Sequence, residues 1–180
     1  MSSKLKEMGI IWWIDHLDSG GAQQDLACLV ESMAESGARQ AVVCLNSRTQ
    51  KSLLNRIEQA GVTVYCLSKI SLVLLFGLIK IWRVIRRDAF DVSVTCLANA
   101  DLVGNVLAST ARIPKRISSQ VSSNRHYSVM RKLSLKYALA KSHCVVLNSC
   151  TYRSSVENYV PSDIPIHIIE NGSKMSTDDK

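Results

Sequence analysis

The chain has 180 residues, an apolar fraction of 47% and a formal net charge of +7. This length fits one domain with a core of its own, and the high apolar content with few prolines and glycines excludes a disordered chain. The positive charge favours an anionic partner such as phosphate, nucleic acid or a membrane surface.

Short apolar runs recur along the chain and predict seven β-strands. They are mostly β-branched and apolar nearly throughout, which is typical of parallel strands buried on both faces. The first run ends at Asp15 without a cleavage pattern, so we interpret it as a strand and not as a signal peptide. The runs are GIIWWID (9–15), QAVVCLN (40–46), VTVYCL (62–67), DVSVTCL (91–97), KRISSQV (115–121), HCVVLNS (143–149) and IPIHIIEN (164–171).

Helical periodicity fills the six intervals between these strands. The first helix carries apolar residues at helical spacing from Ala22 onward, and we expect it to end at Gly37 in a left-handed cap. The second helix is expected to end in the same way at Gly61. Asn99 is the candidate N-cap of the helix after the fourth strand, and Ser149 is the candidate cap of the last helix.

The strict alternation of strands and helices predicts a doubly wound α/β fold with a mostly parallel, Rossmann-like sheet of about seven strands. Ligands of such sheets bind beyond the carboxyl ends of the strands. The expected functional edge therefore consists of the loops after Asp15, Leu45, Leu97, Gln120, Leu147 and Glu170.

The loop between the first strand and the first helix carries two adjacent glycines, Gly20 and Gly21. It lacks the third glycine and the acidic partner of a dinucleotide-binding fingerprint, and no Gly-Lys-Ser/Thr of a phosphate loop follows, so we expect no such cofactor. A Gly-Gly turn at a helix N-terminus suits an anion or a hydroxyl-rich ligand, because free amides and the helix dipole favour one there. A tight turn without any ligand is the equal alternative.

Four stretches, taken in order, resemble the amino-terminal half of a family 4 glycosyltransferase of the GT-B fold. They are IDHLDSGGAQQDLACLVESMAESGARQAVVCL, FDVSVTCLANADLVGNVLASTARIPKRISSQ, ALAKSHCVVLNSCTYRSSVENYVP and IHIIENG. The resemblance implies that residues 8–172 form the acceptor-side domain, with the glycine loop lying against the bound substrates. It also implies an enzyme that transfers a sugar from a nucleotide-sugar to a saccharide or lipid-linked acceptor in surface polysaccharide synthesis, without a bound metal.

In this family a second Rossmann-like domain follows the Asn-Gly that stands here at 171–172, and it carries most of the donor site. Residues 173–180 are a polar tail, so the resemblance implies that the donor-binding domain is absent and that the chain alone is inactive. A non-catalytic binding or membrane-docking module that needs a separate chain is the alternative. An unrelated Rossmann-like protein with a structural Gly-Gly turn is the third hypothesis.

The candidate substrate-binding residues lie in three loops of the expected edge. The third of these loops offers hydroxyl, amide and cationic groups suited to sugar or phosphate, although a plain polar turn has the same composition. Its histidine lies beyond the position of the family's histidine, and we interpret it rather as a helix cap. No catalytic base is assigned. The candidates are Ser19, Gly20, Gly21, Asn99, Ser122, Asn124, Arg125 and His126.

The third helical interval, residues 70–87, becomes basic toward its end. Its uncharged stretch spans 10 residues, about half of what a bilayer crossing needs. We expect a helix that is buried at its start and solvated at its end in a cytoplasmic protein. The alternative is a helix that rests on anionic lipid at the inner face of the membrane, where each cation contributes about 1 kcal/mol. The candidate membrane-surface residues are Lys80, Arg83, Arg86 and Arg87.

A second basic region lies between residues 112 and 136, but no stacking surface or nucleic-acid reader motif accompanies it, so we expect no nucleic-acid partner. The six cysteines form no Cys-x-x-Cys pair. This spacing favours a reducing cytosol over a disulfide framework or a zinc site. Those in apolar runs are expected to be small buried hydrophobes, namely Cys44, Cys66, Cys96 and Cys144.

Overall fold

The seven expected strands are present in a computed structural model, which describes residues 7–67, 71–121 and 128–170 and omits the side chains of 71–74. The strands are β1 (Gly9–Ile14), β2 (Arg39–Cys44), β3 (Thr63–Cys66), β4 (Val92–Cys96), β5 (Lys115–Gln120), β6 (Cys144–Leu147) and β7 (Ile166–Ile168). They form one sheet in the order β3-β2-β1-β4-β5-β6-β7, and every neighbouring pair is parallel. The predicted doubly wound α/β fold is therefore confirmed.

The helices follow the predicted order between the strands. They are α1 (Gly21–Glu35), α2 (Lys51–Gln59), α3 (Ser71–Asp88), α4 (Ala98–Thr110), α5 (Val129–Leu139) and α6 (Arg153–Val156), the last flanked by 3-10 turns. Gly37 and Gly61 have φ values of 81° and 77°, which confirms the left-handed ends of α1 and α2. The hydroxyl of Ser149 accepts a hydrogen bond from the amide of Thr151 at 3.3 Å, so Ser149 does cap the segment before α6.

The expectation that Asn99 caps α4 is wrong. The helix begins at Ala98, so Asn99 lies inside its first turn, and the residue before the helix is Leu97. Asp15, from the end of β1, accepts the hydrogen bond of the Ala100 amide at 2.6 Å in place of a local cap. Leu97 makes the sharp turn into the helix with a φ of 78°, a backbone conformation that costs a residue with a side chain about 1–3 kcal/mol.

The order in which strands join the sheet decides which face each helix covers. Right-handed crossovers place α1 and α2 on one face, over β1 to β3, and α3, α4 and α5 on the other. Over β4 to β6, the first of these faces is covered by no helix in the described part of the chain. A groove of about 490 Å³ remains there, which we call the open sheet face. It is lined mainly by Ile10, Trp12, Val92, Val94, Ile117 and Cys144, with Lys115, Arg116 and His143 also beside it.

The expected burial of the cysteines holds for two of the four. Cys44 and Cys96 are buried, whereas Cys144 is half-buried because it lines the open sheet face. Cys66 is exposed, contrary to expectation. It is the last residue of β3, the edge strand, so it has a neighbouring strand on one side only.

The expectation that α3 is buried at its start is also wrong. Among the described side chains of residues 75–88, the buried ones are Ile81, Val84 and Ile85 in the second half, while Phe76 in the first half is 70% exposed. Leu78 in the first half packs against the core beside these residues. Buried and exposed residues therefore divide between the two sides of α3 and not between its two ends. None of the described helices is long and apolar enough to cross a membrane.

Candidate functional site

The candidate site lies where the order of strands reverses. From β1 the sheet continues to β2 on one side and to β4 on the other, and ligands of doubly wound sheets bind beyond the carboxyl ends at such a point. The glycine loop, residues 17–21, follows β1, and helix α4 follows β4. The structure thus brings Ser19, Gly20, Gly21 and Asn99 to one edge, as the sequence predicted.

The glycine loop is fixed on one side and open on the other. Leu17 is buried and pairs with the loop after β2, because its amide donates to Arg48 at 3.1 Å and its carbonyl accepts from Gln50 at 2.7 Å. The carboxylate of Asp18 accepts the amide hydrogen of Ser19 at 2.9 Å. Residues 19–21 are exposed beyond these contacts.

The two glycines differ in what an added side chain would meet. A Cβ at Gly20 would collide with the side-chain oxygen of Gln23, whose amide nitrogen in turn contacts His16 Nδ1 at 3.3 Å. A Cβ at Gly21 would meet no atom of the protein within 4 Å, and the φ of Gly21 is not in the positive range. No side chain caps α1. Packing within the described chain therefore does not explain why position 21 is glycine.

A carboxylate bridge joins β1 to α4 across the reversal point. One oxygen of Asp15 accepts from the Asn99 side-chain amide at 2.7 Å, and the other accepts from the Ala100 amide at 2.6 Å. Asn99 stays exposed at the edge while its nitrogen is held in this bridge. A strand-end aspartate was visible in the sequence, but its long-range partners were not.

Beneath the edge lies a buried polar cluster that carries no sequence motif. Thr95 donates to Asp101 at 2.5 Å, Gln120 donates to the other oxygen of Asp101 at 2.6 Å, and Asn105 donates to Ser118 at 2.8 Å. Burial raises the pKa of Asp101 to about 7, although the hydrogen bonds from Thr95 and Gln120 act to lower it. The cluster ties α4 to β4 and β5. Two features of the sequence indicate it. Polar residues occupy every second position of β4 and β5, and Asp101 and Asn105, which face these strands, are four residues apart on α4.

Helix α4 also approaches the sheet closely at Gly104. A Cβ at this residue would lie 2.7 Å from side-chain carbons of both Trp13 and Thr95. The Trp13 ring is buried and its nitrogen donates to Ser93 at 3.0 Å, so the ring has little freedom to move. Glycine at 104 therefore sets the depth at which α4 sits beside the edge.

The remaining candidates divide into two groups. Ser122, Asn124, Arg125 and His126 lie outside the described residues, after the buried residue Gln120 at the end of β5. On α3 all four predicted cations are exposed: Lys80, Arg83, Arg86 and Arg87.

Two of these cations already have contacts within the chain. Arg86 donates to the carbonyl of Ala111 at 3.4 Å and its guanidinium lies 6.0 Å from the centre of the Trp82 ring. Arg87 pairs with the neighbouring Asp88 at 2.6 Å. No group of three metal-ligating side chains occurs within the ranges that the structure describes.

A larger cavity of about 670 Å³ lies at the opposite edge of the sheet, near Gly37 and Gly61. It is formed where two helices turn back into strands. Arg39 in its wall already donates to the carbonyl of Ala89 at 3.2 Å and covers the ring of Phe90 at 4.9 Å. Because it lies at the amino ends of the strands, we place the candidate site at the glycine loop instead.

No protein-family profile and no curated protein matches this sequence. Solved structures do match. HepE from Anabaena, in complex with UDP and glucose, matches over 93% of this chain and 45% of its own, with a TM-score of 0.70 and 18% identity. The lipopolysaccharide outer core galactosyltransferase WaaB matches over 94% of this chain and 47% of its own, with a TM-score of 0.70 and 12% identity. The chain has the fold of a GT-B half-domain.

The chain spans less than half the length of these two structures. An NADH-dependent reductase complexed with NAD also matches, over 96% of this chain and 98% of its own, at 12% identity and a lower TM-score of 0.51. Both kinds of match share a Rossmann-like sheet. The glycine loop of this chain lacks the third glycine and the acid of a dinucleotide-binding fingerprint.

Proposed function

We propose that this chain is the amino-terminal, acceptor-side half of a family 4 glycosyltransferase, which transfers a sugar from a nucleotide-sugar to a saccharide or lipid-linked acceptor in surface polysaccharide synthesis. The observation that carries the proposal is the open backbone at Gly21. Nothing in the described chain occupies the space of its missing side chain. A ligand that approaches the backbone there explains the glycine.

The chemistry of this position suits a nucleotide diphosphate. The first amides of α1 are not capped by a side chain, and a helix N-terminus attracts negative charge. The first turn of α1 also contains no acidic residue that would repel a phosphate. The bound UDP and glucose in HepE support a nucleotide-sugar as the ligand class. In this proposal the donor half is supplied elsewhere, so the chain alone has no transferase activity.

The test is a titration of the labelled protein with millimolar UDP-glucose, observed by amide chemical shifts. We expect shifts at residues 20–23, which Gly21→Val reduces because its side chain occupies the approach to the helix. Ser32→Val is the matched control, since it introduces the same side chain into an exposed position near the other end of α1.

The proposal would be contradicted by equal chemical-shift changes in the wild type and in Gly21→Val. It would also be contradicted by changes confined to the cavity near Gly37 and Gly61, at the amino ends of the strands. A parallel assay of UDP release with a panel of nucleotide-sugars is expected to show no turnover by the chain alone. Any turnover would show that a separate donor half is not required.

The second candidate function is docking on an anionic membrane, and it rests on the exposed side of α3. Because an α-helix turns by about 100° per residue, the exposed residues of α3 fall in one sector of about 160°, with Ile81, Val84 and Ile85 opposite. Apolar and basic side chains alternate in that sector. They are Leu75, Phe76, Ile79 and Trp82 together with Lys80, Arg83, Arg86 and Arg87.

Helix α5 adds a similar surface on the same face of the sheet. Val129 and Met130 in its first turn are 74% and 73% exposed, and Arg131 and Lys132 follow directly. Both α3 and α5 begin at the carboxyl edge, because each follows the end of a parallel strand. The exposed apolar residues at the starts of both helices therefore lie at the same edge of the sheet as the glycine loop, where a lipid-linked acceptor would have to arrive in this proposal.

Co-sedimentation with vesicles tests this docking. We expect binding to vesicles with anionic lipid, and about tenfold weaker binding for Phe76→Ser, because the lost burial of an aromatic side chain is worth about 1.5 kcal/mol or more. Arg83→Glu is expected to weaken it by about fivefold or more. Leu29→Ser and Lys51→Glu are the controls, since both change exposed residues on the other face. Equal losses in the controls would refute docking through α3.

A further inference from the structure

Two cysteines are held side by side at the end of β2 and β3. Cys44 and Cys66 are partners in the parallel register of these strands. Such partners lie about 4.8 Å apart and point to the same face of the sheet, within the Cα separation of about 4.4–6.8 Å that a disulfide requires. Each thiol shifts the pKa of the other.

The pair is asymmetric in a way that suits stepwise oxidation. Cys66 is exposed and Cys44 is buried. The hydrogen bond with Cys44 lowers the pKa of Cys66 to about 7, and the same contact together with burial raises the pKa of Cys44. The accessible sulfur is therefore the one that ionises, and the buried sulfur keeps its hydrogen.

We propose that Cys66 and Cys44 form a peroxide-reactive dithiol that oxidises to an intrachain disulfide. The Cys66 thiolate attacks one oxygen of a hydroperoxide, which breaks the O–O bond and gives a sulfenic acid and hydroxide or alkoxide. The sulfur of Cys44 then attacks the sulfenic sulfur. The S–S bond forms, and the hydroxyl group leaves with the Cys44 proton as water.

Oxidation reaches the glycine loop through Cys44. While Cys66 is protonated, the single S–H of Cys44 donates to the carbonyl of Asn46 at 2.9 Å, and it turns to Cys66 when that sulfur ionises. Neither hydrogen bond can form in the disulfide, because the hydrogen is gone. Asn46 belongs to the loop that holds Leu17 in place through Arg48 and Gln50. The dithiol chemistry itself goes beyond the proposed glycosyltransferase function, since it requires only the pairing of β2 with β3.

The experiment is treatment of the reduced 180-residue protein with hydrogen peroxide, followed by alkylation of free thiols and peptide mapping. We expect a Cys44–Cys66 disulfide, and Cys66 is expected to react about threefold faster than an ordinary exposed thiol. Cys66→Ser is expected to abolish the cross-link, and Cys44→Ser is expected to leave Cys66 as sulfenic or sulfinic acid. Cys150→Ser is the matched control, because Cys150 is exposed and lies outside the pair.

A mapped product in which Cys66 is over-oxidised while Cys44 stays reduced would overturn the proposal. Hydrogen exchange provides the second readout, at the amides of Leu17 and Gln50 that link the two loops. We expect both amides to exchange faster in the oxidised protein, and no change in Cys66→Ser after the same treatment. Unchanged exchange in a fully cross-linked sample would refute the connection to the glycine loop.

Discussion

The buried carboxyl group of Asp101 makes a quantitative prediction about stability and pH. Burial raises its pKa from the ordinary 3.8 to about 7, so the folded protein holds a proton that the unfolded chain releases above about pH 4. The contribution of Asp101 to the free energy of unfolding therefore falls as the pH rises from about 4 to 7, and it is constant above pH 7. A shift of about three pH units corresponds to about 4 kcal/mol, of which about 2–3 kcal/mol falls between pH 5 and pH 8.

Asp101→Asn removes the ionisation and keeps the shape. An amide at 101 accepts from Gln120 through its oxygen and donates to Thr95 through its nitrogen, and the Thr95 hydroxyl then turns to the carbonyl of Ile117 at 3.4 Å. Urea unfolding of both proteins at pH 5 and pH 8 gives the result. We expect the stability of the variant relative to wild type to rise by about 2–3 kcal/mol between these pH values.

The control is Asp163→Asn, at an exposed position, whose relative stability should not change between pH 5 and pH 8. If the difference between wild type and Asp101→Asn is the same at both pH values, the carboxyl of Asp101 is already ionised at pH 5 in the folded protein. The hydrogen bonds from its neighbours would then outweigh burial, and our reasoning on this cluster would be wrong.

Three further substitutions test the geometry of the edge. Gly104→Ala is expected to lower the free energy of unfolding by about 1–3 kcal/mol, because the new Cβ overlaps the fixed ring of Trp13; an unchanged urea midpoint would show that α4 can retreat freely. Gly21→Ala is expected to leave stability equal or up to about 1 kcal/mol higher by thermal unfolding, and a loss would mean that packing does require this glycine. Asp15→Ala is expected to cost about 1 kcal/mol or more by the same assay, because it removes the cap of the Ala100 amide, and a neutral result would refute that role.

The predictable part of this fold is local. The strands were visible as short apolar runs, and the ends of α1 and α2 at Gly37 and Gly61 were visible because only glycine readily adopts positive φ at a helix end. The meeting of the glycine loop and α4 at one edge also followed from the sequence, since parallel strands bring their carboxyl ends together.

The remaining features depend on contacts that are distant in sequence. Asparagine is a residue type that often caps helices. At the start of α4, however, the amide of Ala100 donates its hydrogen bond to Asp15, which lies 85 residues away in the sequence. The division of α3 into a buried and an exposed side depends on which of its apolar residues meet the sheet, and the strands of that sheet are distant in sequence. Cys66 is exposed because β3 is an edge strand, and strand order cannot be derived from an apolar run alone.

The open sheet face reverses the usual relation between polarity and tolerance to substitution. On β4 and β5 the hydroxyl residues Ser93, Thr95 and Ser118 are fully buried under helices, while Val94 and Ile117 line the uncovered groove. In saturation mutagenesis of this chain, the serines and threonine would tolerate the fewest replacements and the apolar residues would accept many. Tolerance to substitution would then alternate with a period of two along each strand. The apolar positions that accept many replacements would identify the uncovered face without any structure.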